Sequence, residues 1–240
     1  TNGMLGTDSA RCDGCQRVDA EEQTQTQRRQ DRMFIASRFY QPFIKLQDFT
    51  IDNVVIKPAT SVRNIGIILD NIMSMGEQVT SICKTTHYHL RNIGRIRKSI
   101  SYEACEKLIH ALVTSRLDCG NALLYGLPQY QLARLQRMFH IAARILTLTF
   151  RSSDILPVLV ELHWLPVAQR IHYKILLVTF KAIQGVAPQY ICELLKPHKL
   201  PRTLRSSESN LLAIKPSRTK TYGDRAFCNS APKLWNNLPD

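Results

Sequence analysis

The chain has 240 residues, 44% of them hydrophobic, with 32 Lys and Arg against 19 Asp and Glu, a formal charge of +13. That is too apolar for wholesale disorder, too poor in Gly and Pro for a fibrous repeat, and no apolar run approaches the roughly 20 residues that span a bilayer. One or two domains around a buried core are expected, and both ends read as cut.

Residues 1–36 are rich in Gln, Thr, Arg and Asp and have nothing to bury, so disorder is expected there. A small β element is expected over 37–70. Within it, Phe49 to Ile56 reads as a hairpin turning at Asp52-Asn53. Val62 to Leu69 reads as a strand in which Gly66 marks a close backbone approach.

After Asp70 the apolar period changes from two to 3.6. Met75, Val79, Ile82, Thr86, Leu90 and Ile93 form one helical stripe. Ser101 is an N-cap with Glu103 in the first turn of a second helix, on which Cys105, Leu108, Ile109, Leu112 and Arg116 share a spacing. Gly126-Leu127-Pro128 breaks the chain. A third helix carries Leu132, Leu135, Phe139, Ala142 and Leu146 on one face, completing a bundle over 71–150.

The region 151–240 is expected to begin with a short helix from Ser153-Asp154. It ends before Pro166, which suits the first turn of the next helix. That helix is broadly apolar, with Ile171, Ile175, Val178 and Ala182 beside Leu176, Leu177 and Phe180, so a central position is expected. Gly185 suits its C-terminal cap. Beyond Lys196 the chain becomes basic and Ser-rich, with a small apolar return at Ala226-Phe227 and Leu234-Trp235. The fold class is therefore mainly α: a helical bundle after a small β element, with a disordered N-terminus and a loose basic C-terminal segment.

Charge is unevenly placed. Residues 1–60 hold 8 basic and 8 acidic residues, whereas residues 61–240 hold 24 basic and 11 acidic. Such an excess favours polyanions, because Lys and Arg that meet phosphates release counterions. Three clusters carry the expected nucleic-acid contacts. Arg91, Arg95, Arg97 and Lys98 lie where the first helix runs out, a place that also suits cations structurally. Arg134, Arg137 and Arg144 lie on the polar side of the third helix. Arg202, Arg205, Lys215, Arg218 and Lys220 lie in the late segment, with Tyr222 interleaved.

Catalytic patterns are missing. No two acidic residues are adjacent after Thr60, there is no phosphate-cradling Gly-rich loop with a Lys, and there is no Ser elbow. His87 and His89 lie two apart on a helix and do not share a face. His163-Trp164 reads as a cap or a packing anchor. The seven cysteines read as reduced thiols of an intracellular protein. Cys12-x-x-Cys15 has no nearby second ligand pair, as a zinc site would need. No metal, cofactor, small-molecule substrate or membrane partner is expected, and cytoplasm and nucleus are left open.

Six segments then occur in a recognisable order: SVRNIGIILDNIMSM, HYHLRNIGRIRK, LIHALVTSRLDCGNALLYGLP, LQRMFHIAARIL, LHWLPVAQRIHYKILLVTFKAIQGVAPQYI and SRTKTYGDRAFCNSAPKLWNNLP. Together they closely resemble the C-terminal part of the reverse transcriptase polyprotein of non-LTR retrotransposons, in the jockey-like and chicken-repeat-like branch. The resemblance runs from about Phe49 to Asp240.

It implies that VRNIGIILD corresponds to the chain leaving the palm, that the helices from Met75 to about Leu148 correspond to the thumb, and that LHWLP to LWNNLP corresponds to the post-thumb region. The family's catalytic aspartates and endonuclease lie upstream of this region, and no residue here matches them. A chain that does not polymerise is implied, retaining at most backbone binding to RNA or an RNA–DNA hybrid. Docking as a helical interaction module onto the palm of another polymerase copy is the alternative, as is a nonfunctional remnant.

Cys119-Gly120-Asn121 and the apolar Asn71-Ile72-Met73 depart from the family pattern. In that reading, Gly120 is a poor helix residue, costing roughly 1 kcal/mol relative to Ala. Residues 1 to about 33 depart entirely. A shifted frame through Gln30–Met33 would restore the Lys-Thr-Glu of the relatives, which makes the first segment an out-of-frame one.

Overall fold

The computed structural model describes residues 49–51, 54–56, 59–198 and 211–239. The expectations for residues 1–36, including Cys12 and Cys15, lie outside the described residues.

Two short hairpins come first. Strand β1 (Phe49–Ile51) pairs antiparallel with β2 (Val54–Ile56), Ile51 opposite Val54, as the alternation predicted. The next expectation is corrected. Val62 to Leu69 is not one strand but a second hairpin, β3 (Ser61–Asn64) with β4 (Ile67–Asp70), Asn64 opposite Ile67. Its two turn residues, Ile65 and Gly66, both have positive φ, 47° and 81°. That is the turn handedness that matches strand twist, and glycine adopts it freely. Ile65 sits there 90% exposed, a conformation β-branched residues rarely take.

Asp70 joins the sheet to the helices. Its two carboxylate oxygens accept the backbone N–H groups of Ser74 at 2.7 Å and Met75 at 2.8 Å. These are orphan donors at the start of helix α1 (Gly76–Ile96). Burial pushes the Asp70 pKa up, but the Ser74 and Met75 hydrogen bonds outweigh it and hold the carboxyl below its ordinary value.

The molecule is mainly helical from here on. The α1 stripe buries Met75, Val79, Ile82, Thr86, Leu90 and Ile93, as the 3.6 period required. A 3-10 turn (Arg97–Ser99) leads to α2 (Tyr102–Ile109), which Ser101 caps by accepting the Ala104 N–H at 3.2 Å. A π turn (His110–Thr114) and α3 (Ser115–Asp118) continue the same helix. The wider π turn keeps residues four apart in line, so Cys105, Ile109, Val113 and Leu117 are buried while Arg116 is exposed. Arg116 therefore does not belong to the apolar stripe.

Gly120 is likewise not a weak helix residue. It follows the helix with φ of 64°, and a Cβ there would collide with the Ile67 side chain on β4. Gly120→Ala is expected to destabilise the fold by about 1–3 kcal/mol in a urea titration, left-handed strain plus displacement of Ile67. An unchanged midpoint would mean that Ile67 moves aside freely.

Helix α4 (Gln129–Thr147) buries Leu135, Phe139, Ala142, Ala143 and Leu146, with Leu132 half-buried. Asp154 accepts the Leu156 N–H at the start of α5 (Leu156–Glu161). Trp164 is buried, its ring 5.0 Å from that of Phe139 and 5.5 Å from that of His110, so it is a packing anchor. Gln136 on α4 accepts the Val167 N–H at 2.7 Å and so caps α6 (Val167–Ile183). Gly185 closes α6 as expected: its φ is 70°, and the Val186 N–H donates to the Lys181 carbonyl at 2.9 Å.

The central position expected of α6 is corrected. It buries Val167, Ile171, Ile175, Thr179 and Ala182, with Thr179 rather than Val178 fully covered, while Phe180 and Tyr173 are exposed. After α7 (Gln189–Cys192), the late segment returns to the body. Helix α8 (Phe227–Trp235) places Ala231 in the core, with Phe227 and Leu234 packed against it. Asn236 clasps Leu212 with two hydrogen bonds, at 2.9 and 3.0 Å. The described part of the C-terminal segment is thus docked rather than loose.

Candidate nucleic-acid interface

Two stretches of sequence contain no acidic residue. Gln78 to Tyr102 holds five Lys and Arg, and Cys119 to Ser153 holds four. Helix α1 fills most of the first stretch and α4 most of the second, and the two pack along each other. Six cations, Lys84, Arg91, Arg95, Arg134, Arg137 and Arg144, are thereby gathered on one helix pair whose single carboxylate is Glu77 in the first turn of α1, and Arg97, Lys98 and Arg151 follow directly after its two C-terminal ends. Sequence spacing alone does not show that these helices are neighbours.

Where α1 ends against α4, a groove of about 840 Å³ is lined by Arg97, Arg137, Arg144 and Arg151, together with His140 and the apolar Ile141, Ile145 and Leu148. His140 lies 2.6 Å from Gln136, and burial, followed by the Arg144 charge, lowers its pKa. The arginines, not the histidine, carry the positive charge at neutral pH.

The expected residues fall into different roles. Arg91, Arg95 and Lys98 are exposed near the end of α1, and Arg137 is exposed on α4. Among the described residues, none of them forms an ion pair. Arg97 is corrected. Its guanidinium donates to the carbonyls of Ile145, Leu146 and Ile100 at 2.9 to 3.2 Å, closing the C-terminal end of α4. It lines the groove as part of its wall. Arg144 donates to the Phe150 and Ser153 carbonyls and tethers the loop that follows α4. Arg134 does not line the groove; it reaches Thr80 Oγ1 at 3.2 Å. Arg151 lines the groove and was missed, because no helical period marks a loop residue.

The described members of the late cluster do not line the groove. Lys215, Arg218 and Lys220 are exposed, whereas Arg202 and Arg205 lie outside the described residues. A π turn (Lys220–Asp224) follows, and its Tyr222 hydroxyl donates to the Asn71 carbonyl at 2.9 Å. Tyr222 therefore ties the late segment to the chain just before α1. Asn71 precedes α1, and the groove lies at the other end of that helix, roughly 30 Å away for 21 residues.

Three side chains that sequence reasoning did not single out hold the frame. Arg225 donates to the carbonyls of Met73, Leu123 and Tyr125 at 2.7 to 2.8 Å. Burial lowers its pKa, and the neighbouring Asp70 partly opposes that shift. Arg170 forms a two-pronged ion pair with Asp118, at 2.7 and 3.0 Å, and lies over the Phe139 ring. Both arginines join segments about 50 to 150 residues apart, so no local pattern reveals them.

Among the described residues, no three His, Cys, Asp or Glu side chains converge as a metal site, and no helix is long and apolar enough to cross a membrane. Cys83, Cys105, Cys119, Cys192 and Cys228 are free thiols. No family model, curated protein or solved structure matches this chain.

Proposed function

We propose that the chain is the thumb and post-thumb part of a non-LTR retrotransposon reverse transcriptase. In this reading it binds the backbone of RNA or an RNA–DNA duplex and does not polymerise. The observation that carries it is the α1–α4 pair, which has no carboxylate beyond Glu77 in the first turn of α1, with its arginine-lined groove at the opposite end of that helix. A surface of this kind contacts phosphates and does not read base edges, so binding should ignore sequence.

The family-like segments add support, because their residues hold this frame together. Asp118 of RLDCGN pairs with Arg170 of VAQR, Arg225 of GDRAF caps the carbonyls of LLYG, and Asn236 of LWNN clasps Leu212. Segments that co-occur in order for a shared fold should supply its long-range ties in this way.

The test is fluorescence anisotropy of the chain with a labelled RNA–DNA hybrid across a salt series. If about 5 phosphates are neutralised, log K should fall with log salt at a slope of about −4 to −5. Reversing charge at the two exposed groove arginines, Arg137→Glu with Arg151→Glu, should flatten the slope by about 2. A folded double variant with the wild-type slope would remove the groove from the interface.

A further inference from the structure

Helix α6 is apolar on the side that faces away from the core as well. At 3.6 residues per turn, Tyr173, Leu177 and Phe180 fall opposite Ile171, Ile175 and Ala182. Tyr173 is 58% exposed and Phe180 51%. Ile183 extends one flank of this strip, and the exposed Lys174 and Lys181 form the other. No Asp or Glu occurs from Leu162 to Cys192. A helix with apolar strips on two opposite sides ordinarily buries both, and among the described residues this one is covered on one side.

We infer that this face docks a partner protein's amphipathic helix whose apolar stripe is flanked by carboxylates. The choice of occupant rests on charge and on extent. The apolar strip is one side chain wide, and its single-sign rim of lysines matches acidic flanks. Antiparallel self-pairing would set Lys174 and Lys181 of one copy beside the same lysines of the other, with no carboxylate on the helix to compensate. Tyr173 to Phe180 spans about 10 Å, enough to seat successive side chains of a facing helix. It is short for a helix lying in a lipid interface. The inference does not rest on nucleic-acid binding, and its test contains no nucleic acid, so the two readings can fail separately.

The full chain is used to select from a display library of randomised amphipathic helical peptides. Peptides with an apolar stripe and Asp or Glu on its flanks should be enriched. Phe180→Asp should weaken the selected peptides by at least about tenfold, with Tyr173→Asp as a second variant and thermal melts showing that both fold. Lys174→Glu with Lys181→Glu should turn selection toward Lys-flanked peptides. Enrichment without acidic bias, or binding indifferent to Phe180 and Tyr173, overturns the inference. So does a dimer in sedimentation that Phe180→Asp dissociates, which would give the face to a second copy. Cosedimentation with phosphatidylserine vesicles that Phe180→Asp abolishes would give it to lipid, and would equally overturn the inference.

Discussion

Phe139→Ala is expected to lower the unfolding free energy by about 4 kcal/mol, within the 3–5 kcal/mol typical of a buried aromatic. Phe139 is fully buried on α4, its ring packs on Trp164, and the Arg170 guanidinium lies 5.1 Å from its centroid. Truncation removes three things together: apolar area, the ring-on-ring contact, and the platform beneath an arginine held by Asp118. For a protein of this size each kcal/mol corresponds to roughly 2–4 °C of melting temperature. Phe139→Leu keeps most of the volume and should cost less than about 2 kcal/mol. A loss below about 1 kcal/mol for the alanine variant would show that the core does not close around this ring.

Arg225→Ala carries the second large effect, about 3 kcal/mol. One guanidinium satisfies three carbonyls, and hydrogen bonds from a charged donor contribute about 1.5–3 kcal/mol each in sheltered sites. Arg225 is only half-buried, so water replaces part of that on removal. Arg225→Lys should rescue little, because an ammonium cannot span Met73, Leu123 and Tyr125 as a planar fork does. Limited proteolysis gives a second readout: the Arg225→Ala chain should be cleaved between residues 211 and 226 before the helical body is attacked. Full rescue by lysine would reduce Arg225 to a point charge.

The two stability predictions bear on binding as well. Arg225 ties the late segment to the start of α1, and Phe139 lies on α4, whose polar face carries Arg137. The groove exists only while α1 and α4 stay in contact. Arg225→Ala should therefore leave the anisotropy salt slope near wild type, because its ties lie at the far end of α1. Phe139→Ala should lower affinity only at temperatures where the fold begins to open.

Local pattern was enough for the first helix and for two helix caps. The α1 stripe from Met75 to Ile93, the Ser101 cap and the Gly185 cap each follow from periods and side-chain chemistry within a few residues, and all three are present. Pattern failed where two chain segments meet. Gly66 reads as a close approach within one strand, and the Asn64–Ile67 pairing makes it a turn residue instead. Gly120 looks unfavourable until Ile67 is placed against it.

The basic clusters were legible as charge, but their division was not. Arg97 and Arg137 look alike in sequence, yet one closes a helix end through backbone carbonyls and the other faces a groove. The amino-acid sequence by itself determined a mainly helical chain with its positive charge after residue 60, because burial periods and formal charge are properties of single segments. Only the tertiary structure decided, among the described residues, which cations are taken up by backbone carbonyls, which glycines are required, and that α6 keeps an exposed apolar face. Those outcomes depend on distant carbonyls, side chains and helices arriving at the same place, and local pattern does not encode that meeting.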